Sequence, residues 1–244
     1  MSAIQNSFQR VEVKYLLTIS QYLALRRGMA AYVKPDVYSR YTICSIYCDT
    51  EDFSLVRTSL EKPVYKEKLR LRSYGVPGGR DTAFVELKKK YDGVVYKRRV
   101  TVNAAEAAKS ISRGKLLGDD QISREINWFL HVWKPQPAVY IGYDREAWAG
   151  IEDSELRITF DTNLRGRSWD LDLRAGDFGE LILPRESILM ELKFTGGAPL
   201  WLSHLLSENG IYPTSFSKYG TYYKSLLGEA PVYGNYWPEV KHYA

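Results

Sequence analysis

The sequence predicts an α+β protein built on an antiparallel sheet of about eight strands, with helices flanking the sheet. Its 244 residues include 19 Tyr and six Trp, a composition that favours many strands with amphipathic edges. The predicted strands show little of the β-α-β alternation that marks a parallel sheet. At least six strands carry charged residues on one face and apolar residues on the other. A closed barrel with helices outside would therefore hold the charges inside.

The clearest strand covers residues 65–74, where basic and apolar residues alternate. Its basic face consists of Lys66, Lys68, Arg70 and Arg72. Leu69 and Leu71 point to the opposite face. Like charges in a row on one strand face repel each other, so this face needs either an anionic partner or open water.

Local signals predict the other elements in turn. Alternation predicts a strand over 8–17, and a helix follows from Thr18 or Ser20 to about residue 33, where Lys34-Pro35-Asp36 would end it. The further predicted strands are 40–49, 82–90, 94–102, 138–149, 156–163 and 188–194. The further predicted helices are 53–60, 104–112, 122–132, 200–208 and 217–227. The pair Asp92-Gly93 is typical of a hairpin turn.

We expect a single domain over residues 1–244, because no linker or repeat interrupts the chain. Its core would span about 8–226, and the tail 228–244 would pack on the surface or fray. We expect a cytoplasmic protein without a membrane segment of its own, because the sequence shows neither a leader pattern nor an apolar run that could cross a bilayer. Cys44 and Cys48 fit neither a zinc site nor a redox pair and are expected to be buried.

The charged strand faces favour an anionic ligand more strongly than the net charge of +5 does. In a barrel they would gather Lys14, Lys68, Arg70, Arg72, Lys88, the run 97–99, Arg145, Arg157 and Lys193, with Glu12, Glu86 and Glu191. The alternative is a set of solvent-exposed faces, but a bias toward Lys and Arg on six strands disfavours it. Unpaired ions cost several kcal/mol each to bury dry, so the interior would be wet and would hold a polyanion.

Nine motifs occur in order along the chain: RVEVKY at 10–15, YCDT at 47–50, KLRLRSYG at 68–75, FVELK at 84–88, KRRV at 97–100, YDREAW at 143–148, RITFDT at 157–162, MELK at 190–193 and SFSKY at 215–219. Together they resemble the VTC domain, the polyphosphate polymerase branch of the triphosphate tunnel metalloenzymes. The resemblance runs from about residue 8 to residue 226.

The resemblance implies an eight-stranded antiparallel β-barrel tunnel with a basic interior. It implies transfer of the γ-phosphoryl group of ATP to a growing polyphosphate chain, with Mn²⁺ or Mg²⁺ as cofactor. By motif position, the expected catalytic residues are Lys14, Arg70, Arg72, Lys88, Arg145, Arg157 and Glu191. Further phosphate contacts are expected from Lys68, Lys97, Arg99, Lys193, Ser217 and Lys218. Glu191, with Glu12 or Glu86, is expected to hold the metal. Strand parity favours Lys97 and Arg99 over Arg98 on the tunnel side.

Two positions depart from the family's patterns. Related triphosphatases begin the first-strand motif with Glu, whereas this chain has Arg10, as is usual in the polymerase branch, so one metal-binding carboxylate is missing. Eukaryotic polymerases have Lys where this chain has Ser215, which bears on the chain-extending site. No companion domain or membrane anchor is recognisable, so coupling to export would need a separate membrane partner protein.

Three other functions stay open. A triphosphatase of the same fold would transfer the phosphoryl group to water. A non-catalytic receptor would bind polyphosphate or inositol phosphates without turnover. A nucleic-acid binder is disfavoured, because base stacking needs aromatic residues interleaved with the basic ones, and the basic faces mostly lack them. The glycine-rich segment 75–79 lacks the Gly-Lys-Ser/Thr of a phosphate-binding P-loop.

Overall fold

The computed structural model describes residues 10–92 and 94–238 and has an α+β fold, as predicted. The strands are β1 Arg10–Leu17, β2 Val33–Asp49, β3 Tyr65–Tyr74, β4 Thr82–Tyr91, β5 Val94–Asn103, β6 Gln136–Gly150, β7 Arg157–Arg167, β8 Gly179–Leu181, β9 Ile188–Thr195, β10 Pro213–Thr214 and β11 Asn235–Tyr236. The α-helices are α1 Ile19–Gly28, α2 Ser54–Leu60, α3 Ala104–Arg113, α4 Gln121–Trp133, α5 Leu200–Glu208 and α6 Lys218–Leu226. None of these helices combines the length and apolarity needed to cross a bilayer.

The strands form a mostly antiparallel sheet of 11 strands. Their order is β10-β1-β9-β7-β6-β2-β3-β4-β5, with β8 beside β7 and β11 beside β8. Across the part of the chain that the structure describes, this sheet has two ends and does not close, so the expected eight-stranded barrel is not confirmed. The strands beyond the predicted eight are β8, β10 and β11, which are only two or three residues long.

Two neighbouring boundary predictions were wrong: the first helix does not extend to residue 33, and the second strand starts well before residue 40. Thr18, one of the two expected caps, starts α1 through a capping box with Gln21, but the helix ends at Gly28 and β2 begins at Val33. The segment 34–36 therefore lies in a strand, although Pro35 suggested a helix end. Other boundaries agree within a few residues. The predicted hairpin keeps Asp92 in the left-handed region at φ 43°, while Gly93 lies outside the described residues.

The chain divides into two compact units. The first takes in the described chain up to Tyr41, residues 144–162 and residues 185–216. The second takes in residues 42–143, residues 163–184 and the chain from Ser217. The long strands β2, β6 and β7 contribute residues to both units.

Each unit buries the apolar faces of its strands beneath helices. In the first unit, Met190 and Leu192 of β9 pack in one cluster with Leu25 of α1 and Leu202 of α5. The second unit builds its core around Leu69 and Leu71 of β3, Leu87 of β4, and Ile126 and Phe129 of α4. Because side chains alternate along a strand, this packing leaves the charged residues on the opposite strand faces.

Cys44 and Cys48 of β2 belong to the second core and are free thiols that are 0% and 2% exposed. Burial raises the pKa of both thiols. The predicted burial of this pair is confirmed.

Candidate functional site

The second unit aligns charged residues in rows across β3, β4 and β5. Arg70 lies opposite Glu86, and Glu86 lies opposite Arg99. Tyr47 of β2 extends this row on the other side of Arg70. Residues opposite one another in an antiparallel sheet have neighbouring Cβ atoms, so the row brings these side chains into contact.

Glu86 is the centre of this row. Its Oε2 accepts hydrogen bonds from Nε of Arg70 at 2.7 Å, and Nη2 of the same guanidinium is also at 2.7 Å. Its Oε1 lies 2.9 Å from Nζ of Lys97 and 2.7 Å from Nε of Arg99. Arg72 approaches Oε2 to 3.7 Å and donates to Oγ of Ser45 at 3.3 Å. We call Arg70, Arg72, Glu86, Lys97 and Arg99 the Glu86 cluster.

The Glu86 cluster carries four cations against one carboxylate. The Glu86 carboxylate is only 1% exposed, so the surrounding cations, and not solvent, stabilise its negative charge. Burial alone would raise the pKa of Glu86, but Arg70, Arg72 and Lys97 outweigh burial and hold that pKa well below its ordinary value. Glu86 therefore stays ionised and allows like charges to collect on one strand face.

A row of lysines lies next to the Glu86 cluster. Lys68 lies opposite Lys88, and Lys88 lies opposite Lys97. Nζ of Lys68 lies 3.5 Å from Oγ of Ser217, and the same hydroxyl oxygen caps α6 by accepting a hydrogen bond from the amide of Gly220. Like charges placed opposite one another are unfavourable, so this row of lysines also favours an anionic ligand.

Lys218, the first residue of α6, is buried in the second unit. Its Nζ lies 4.5 Å from the ring centre of Tyr143, a cation–π contact. The sequence predictions for Ser217 and Lys218 therefore fall on the N-terminal end of one helix, where backbone amides also favour negative charge.

The first unit holds a second group of charged side chains, on β1, β6, β7 and β9. We call Lys14, Glu12, Arg145, Asp161, Glu191 and Lys193 the Glu191 cluster. Lys14 lies opposite Glu191, and Glu12 lies opposite Lys193, so the two strands alternate in charge along their shared edge.

Arg145 is held tightly within the Glu191 cluster. Its Nε and Nη2 donate to the two carboxylate oxygens of Asp161 at 2.6 and 2.7 Å, a bidentate pair. Nη2 also lies 3.2 Å from Oε2 of Glu191. Asp161 is fully buried, so this pair fixes the guanidinium against the sheet.

The lysines of the Glu191 cluster make longer contacts. Nζ of Lys14 lies 4.0 Å from Glu191 and 3.8 Å from Glu12, and it donates to the carbonyl oxygen of Phe216 at 3.0 Å. Nζ of Lys193 lies 3.6 Å from Glu12 and 3.9 Å from Glu191. Three cations meet three carboxylates here, so the Glu191 cluster is balanced in charge, unlike the Glu86 cluster.

Arg157 lies opposite Lys193 in the sheet, but its guanidinium pairs with Asp36 of β2. Its side chain is 40% exposed, the most open among the predicted catalytic arginines whose ion pairs the structure describes. Asp36 comes from the segment that the sequence assigned to a helix end. Asp36 is available to Arg157 because β2 begins at Val33 and includes this segment.

The carboxylates of the first unit fit a divalent cation in part. Glu12 and Glu191 offer hard oxygen ligands, which suit Mg²⁺ or Mn²⁺. Among residues 10–92 and 94–238, no group of three or more His, Cys, Asp or Glu side chains is placed to hold a metal ion. Such a cation would thus take most of its ligands from phosphate oxygens and water.

The sequence also offers Glu86 as a metal ligand, but its surroundings disfavour this role. Both carboxylate oxygens already accept charged hydrogen bonds, from Arg70 and from Lys97 and Arg99. A further cation at this point would meet four positive side chains. Glu86 is better described as the counterion of the arginines.

Two partners at these clusters were missed by sequence reasoning. Tyr47 accepts a hydrogen bond from Nη1 of Arg70 at 3.2 Å, and Asp161 fixes Arg145. Strand parity could have placed Tyr47 on the charged face, but the register between β2 and β3 is not visible in the sequence. Parity does place Arg98 correctly away from this face, since its Nε donates to Glu125 of α4 at 2.9 Å.

A comparison with protein families finds a match over most of the chain. The family model described as the VTC domain matches residues 9–227. A comparison with curated proteins finds no matching sequence.

The solved structures that share the fold include the following two. One is a candidate adenylate cyclase from Bacillus halodurans, with a TM-score of 0.54, 13% identity, and coverage of 86% of this chain and 95% of that chain. The other is a candidate adenylyl cyclase from Hippeastrum with a dominant triphosphatase activity. It has a TM-score of 0.55, 16% identity, and coverage of 88% of this chain and 96% of that chain.

Proposed function

Because the chain belongs to the VTC domain family, we propose that it is an ATP-dependent polyphosphate polymerase. It transfers the γ-phosphoryl group of ATP to the end of a growing polyphosphate chain and releases ADP. The observation that carries this proposal is the charge excess of the Glu86 cluster, where one buried carboxylate faces Arg70, Arg72, Lys97 and Arg99. Such a surface is suited to a ligand that presents several ionised oxygens in a row.

The phosphate ligands are assigned to the excess cations. Arg70 and Arg99 use part of each guanidinium on Glu86, and a guanidinium has five N–H donors, so others can reach phosphate oxygens. Lys68 and Lys88 extend the basic face beyond the Glu86 cluster. Charged hydrogen bonds to phosphate contribute roughly 1.5–3 kcal/mol each, which offsets the repulsion among the cations.

In the first unit, Lys14, Arg145, Arg157 and Lys193 are proposed to contact phosphate as well. Glu191, with Glu12, would hold the divalent cation, which would supply positive charge to neutralise the transferred phosphoryl group. The fixed pair of Arg145 with Asp161 orients that guanidinium before substrate arrives.

The transfer needs no general base from the protein. The attacking group is a terminal phosphate oxygen of the polymer, which is already ionised near neutral pH. It forms a bond to the γ-phosphorus of ATP, the bond from that phosphorus to the bridging oxygen breaks, and the electron pair leaves with ADP. Positioning and charge neutralisation supply the catalysis, which suits a site of arginines, lysines and a few carboxylates.

The test is a product analysis with ATP and Mn²⁺. We expect ADP to form in step with a phosphate polymer, seen on a polyacrylamide gel and by ³¹P NMR as internal phosphate signals. Glu191→Gln should abolish both products, because the cation loses a ligand. ADP with free phosphate and no polymer would reject polymerisation in favour of hydrolysis, and unchanged ATP would reject both.

A triphosphatase is the second candidate. The structural likeness to the Hippeastrum protein favours it, since that protein has a dominant triphosphatase activity. Water would then replace the polymer end as attacking group. Adding a short polyphosphate primer separates the two: a polymerase should extend the primer with phosphate from ATP, whereas a triphosphatase should form no chain longer than the primer.

A further inference from the structure

Tyr47 lies on the charged face of the second unit, and the polymerase mechanism does not use it. Its hydroxyl oxygen accepts a hydrogen bond from Nη1 of Arg70 at 3.2 Å. The other side of the same guanidinium, Nε and Nη2, is bound to Glu86. Arg70 is thus held from two sides, by a carboxylate that stays ionised and by a phenol that can gain or lose a proton.

The ring of Tyr47 is fixed by its neighbours. It stacks on the ring of Tyr219 in α6, with centroids 4.8 Å apart and an interplanar angle of 21°. The Tyr219 hydroxyl donates to Oδ2 of Asp49 at 2.7 Å, and Asp49 also accepts from the amides of Leu55 and Val56 in α2. A rigid frame of two helices and one strand therefore sets the position of the Tyr47 oxygen.

The charges that face Tyr47 are mostly positive. Arg70, Arg72 and Lys68 act on it from β3, while α6 presents the neutral ring of Tyr219. On β6, the other neighbour of β2 in the sheet, the phenol of Tyr143 interacts with the same Arg70. On β2 itself, the Asp49 carboxylate is bound by Tyr219 and by amides, and on β4 the Glu86 carboxylate is bound by its cations. Burial alone would raise the pKa of Tyr47, but Arg70, Arg72 and Lys68 outweigh burial and lower it to about 7.

We propose that Tyr47 is a proton-linked phosphate ligand, which as a phenolate pairs with Arg70 in the empty site and as a phenol donates a hydrogen bond to a phosphate oxygen of the bound polyanion. The proton comes from solvent when the polyanion binds. This inference rests on the proposed polyphosphate site, because only an anion at the Glu86 cluster would drive the proton onto Tyr47.

Binding of the polyanion and protonation of Tyr47 should favour each other. A polyanion beside Tyr47 adds negative charge, which raises the pKa of the phenol and favours proton uptake. By linkage, lowering the pH must then strengthen binding of the polyanion. The effect is confined to the range between the pKa of the empty site and that of the filled site.

Ultraviolet absorption tests the ionisation directly. Tyrosinate absorbs at about 295 nm, and an ordinary tyrosine ionises near pH 10. In EDTA, the wild-type protein should gain tyrosinate absorbance between about pH 6 and 8.5 that Tyr47→Phe lacks, and tripolyphosphate should move this step to higher pH. Phenylalanine keeps the ring on Tyr219, so the variant tests the hydroxyl alone.

Tyr74→Phe is the matched control for the absorption experiment. Tyr74 accepts a hydrogen bond from Arg99, and Arg99 and Arg72 lower its pKa against the effect of burial. It nonetheless lies outside the contact with Arg70, so the variant should keep the absorbance step of Tyr47. A step that survives in Tyr47→Phe, or one that tripolyphosphate does not move, would overturn the inference.

Calorimetric binding of tripolyphosphate without metal gives a second test. From pH 6 to pH 8.5, wild-type affinity should fall about tenfold more than the affinity of Tyr47→Phe, which corresponds to one pH unit of proton linkage. The ligand's own titration is common to both proteins. Equal pH dependence in the two would reject the role of Tyr47 and leave the polyphosphate site intact, whereas no binding by either would reject the site as well.

Discussion

Glu86 shows how one side chain can organise many charges. Cations from β3 and β5 reach its two oxygens, and the carboxylate is almost wholly buried. A buried charge that loses its partners is strongly unfavourable, and the same holds for cations that lose a shared counterion. The stability of this region should therefore depend on Glu86 more than on any single cation around it.

Replacing Glu86 by Gln should destabilise the empty protein by about 3–5 kcal/mol, because four cations lose their counterion at once. Urea unfolding measures this difference. Tripolyphosphate should recover more stability in the variant than in the wild-type protein, since phosphate oxygens can replace the missing carboxylate.

The matched control is Glu125→Gln. Glu125 also bridges two cations, Lys89 at 2.8 Å and Arg98 at 2.9 Å, but on the other face of the sheet and with 26% of its side chain exposed. Its loss should cost about 1 kcal/mol or less, and tripolyphosphate should not restore it. Equal losses in the two glutamine variants would contradict the special position of Glu86.

Ionised Glu86 should also contribute to the free energy of unfolding, and this contribution should be lost in acid. Its pKa in the folded protein lies below the ordinary glutamate value of about 4.3, so its contribution is complete above that value and is lost as the pH falls toward the folded pKa. Urea unfolding at pH 6, 4.5 and 3.5 should show a steeper loss in the wild-type protein than in Glu86→Gln. Parallel curves would assign the acid sensitivity to other groups.

Alanine variants of three arginines should distinguish a role in ligand binding from a role in stability. Arg70 and Arg157 have partners on the charged faces. Removing Arg70 leaves Glu86 with its remaining cations, and removing Arg157 leaves the half-buried carboxylate of Asp36. Arg165 is fully buried and donates to the Asp177 carboxylate at 2.8 Å and to the Asn163 carbonyl oxygen at 2.7 Å. Arg70→Ala and Arg157→Ala should lose most activity with small changes in melting temperature. Arg165→Ala should lower the melting temperature by several degrees, because it removes a fully buried guanidinium and the partner of Asp177, whose side chain is only 14% exposed.

At the scale of the element, β5 divides its basic residues between two faces. Lys97 and Arg99 reach Glu86, whereas Arg98 reaches Glu125 of α4. Lys97→Ala and Arg99→Ala should each weaken tripolyphosphate binding about tenfold, the equivalent of roughly 1.4 kcal/mol for a lost charged contact. Arg98→Ala, a neighbour of the same charge, should bind normally. A calorimetric titration in which all three variants weaken alike would indicate that total charge, not strand parity, governs binding.

Sequence patterns predicted the strands with strong alternation and failed where local signals competed. The alternation of residues 65–74 matches β3 in full. Lys34-Pro35-Asp36 is a common helix end, yet these residues continue into β2, where pairing within the sheet outweighs the local preference. Strands as short as β10 and β11 contain too few residues for any period to be visible.

For the site, the cations were predictable and their partners were not. Lys and Arg on one strand face can be read from spacing alone, whereas the pairing of Arg70 with Glu86 follows from the register of β3 against β4. The contact between Tyr47 and Arg70 depends on how β2 pairs with β3, which the sequence does not specify. The depth of Asp161 likewise depends on packing, so its pair with Arg145 could not be foreseen.

For the whole molecule, the net charge of +5 understates the local excess on β3, β4 and β5. Repulsion among these cations should make the empty protein less stable than the loaded one. Tripolyphosphate at 100 times its dissociation constant should raise the free energy of unfolding by about 2.7 kcal/mol. At a fixed tripolyphosphate concentration, this gain in the free energy of unfolding should shrink as NaCl rises from 50 to 500 mM, because salt screens the charges and weakens binding. Urea unfolding that is indifferent to tripolyphosphate would contradict this expectation.

The buried cysteines give a way to time the opening of the sheet. Cys44 and Cys48 are the chain's two thiols, and β2 holds both inside the second core. A thiol-reactive dye needs the thiolate, which burial disfavours, so labelling requires β2 to separate from its neighbours. The rate of dye incorporation therefore reports how often β2 detaches. This rate measures local opening of the sheet, which equilibrium unfolding of the whole protein does not resolve.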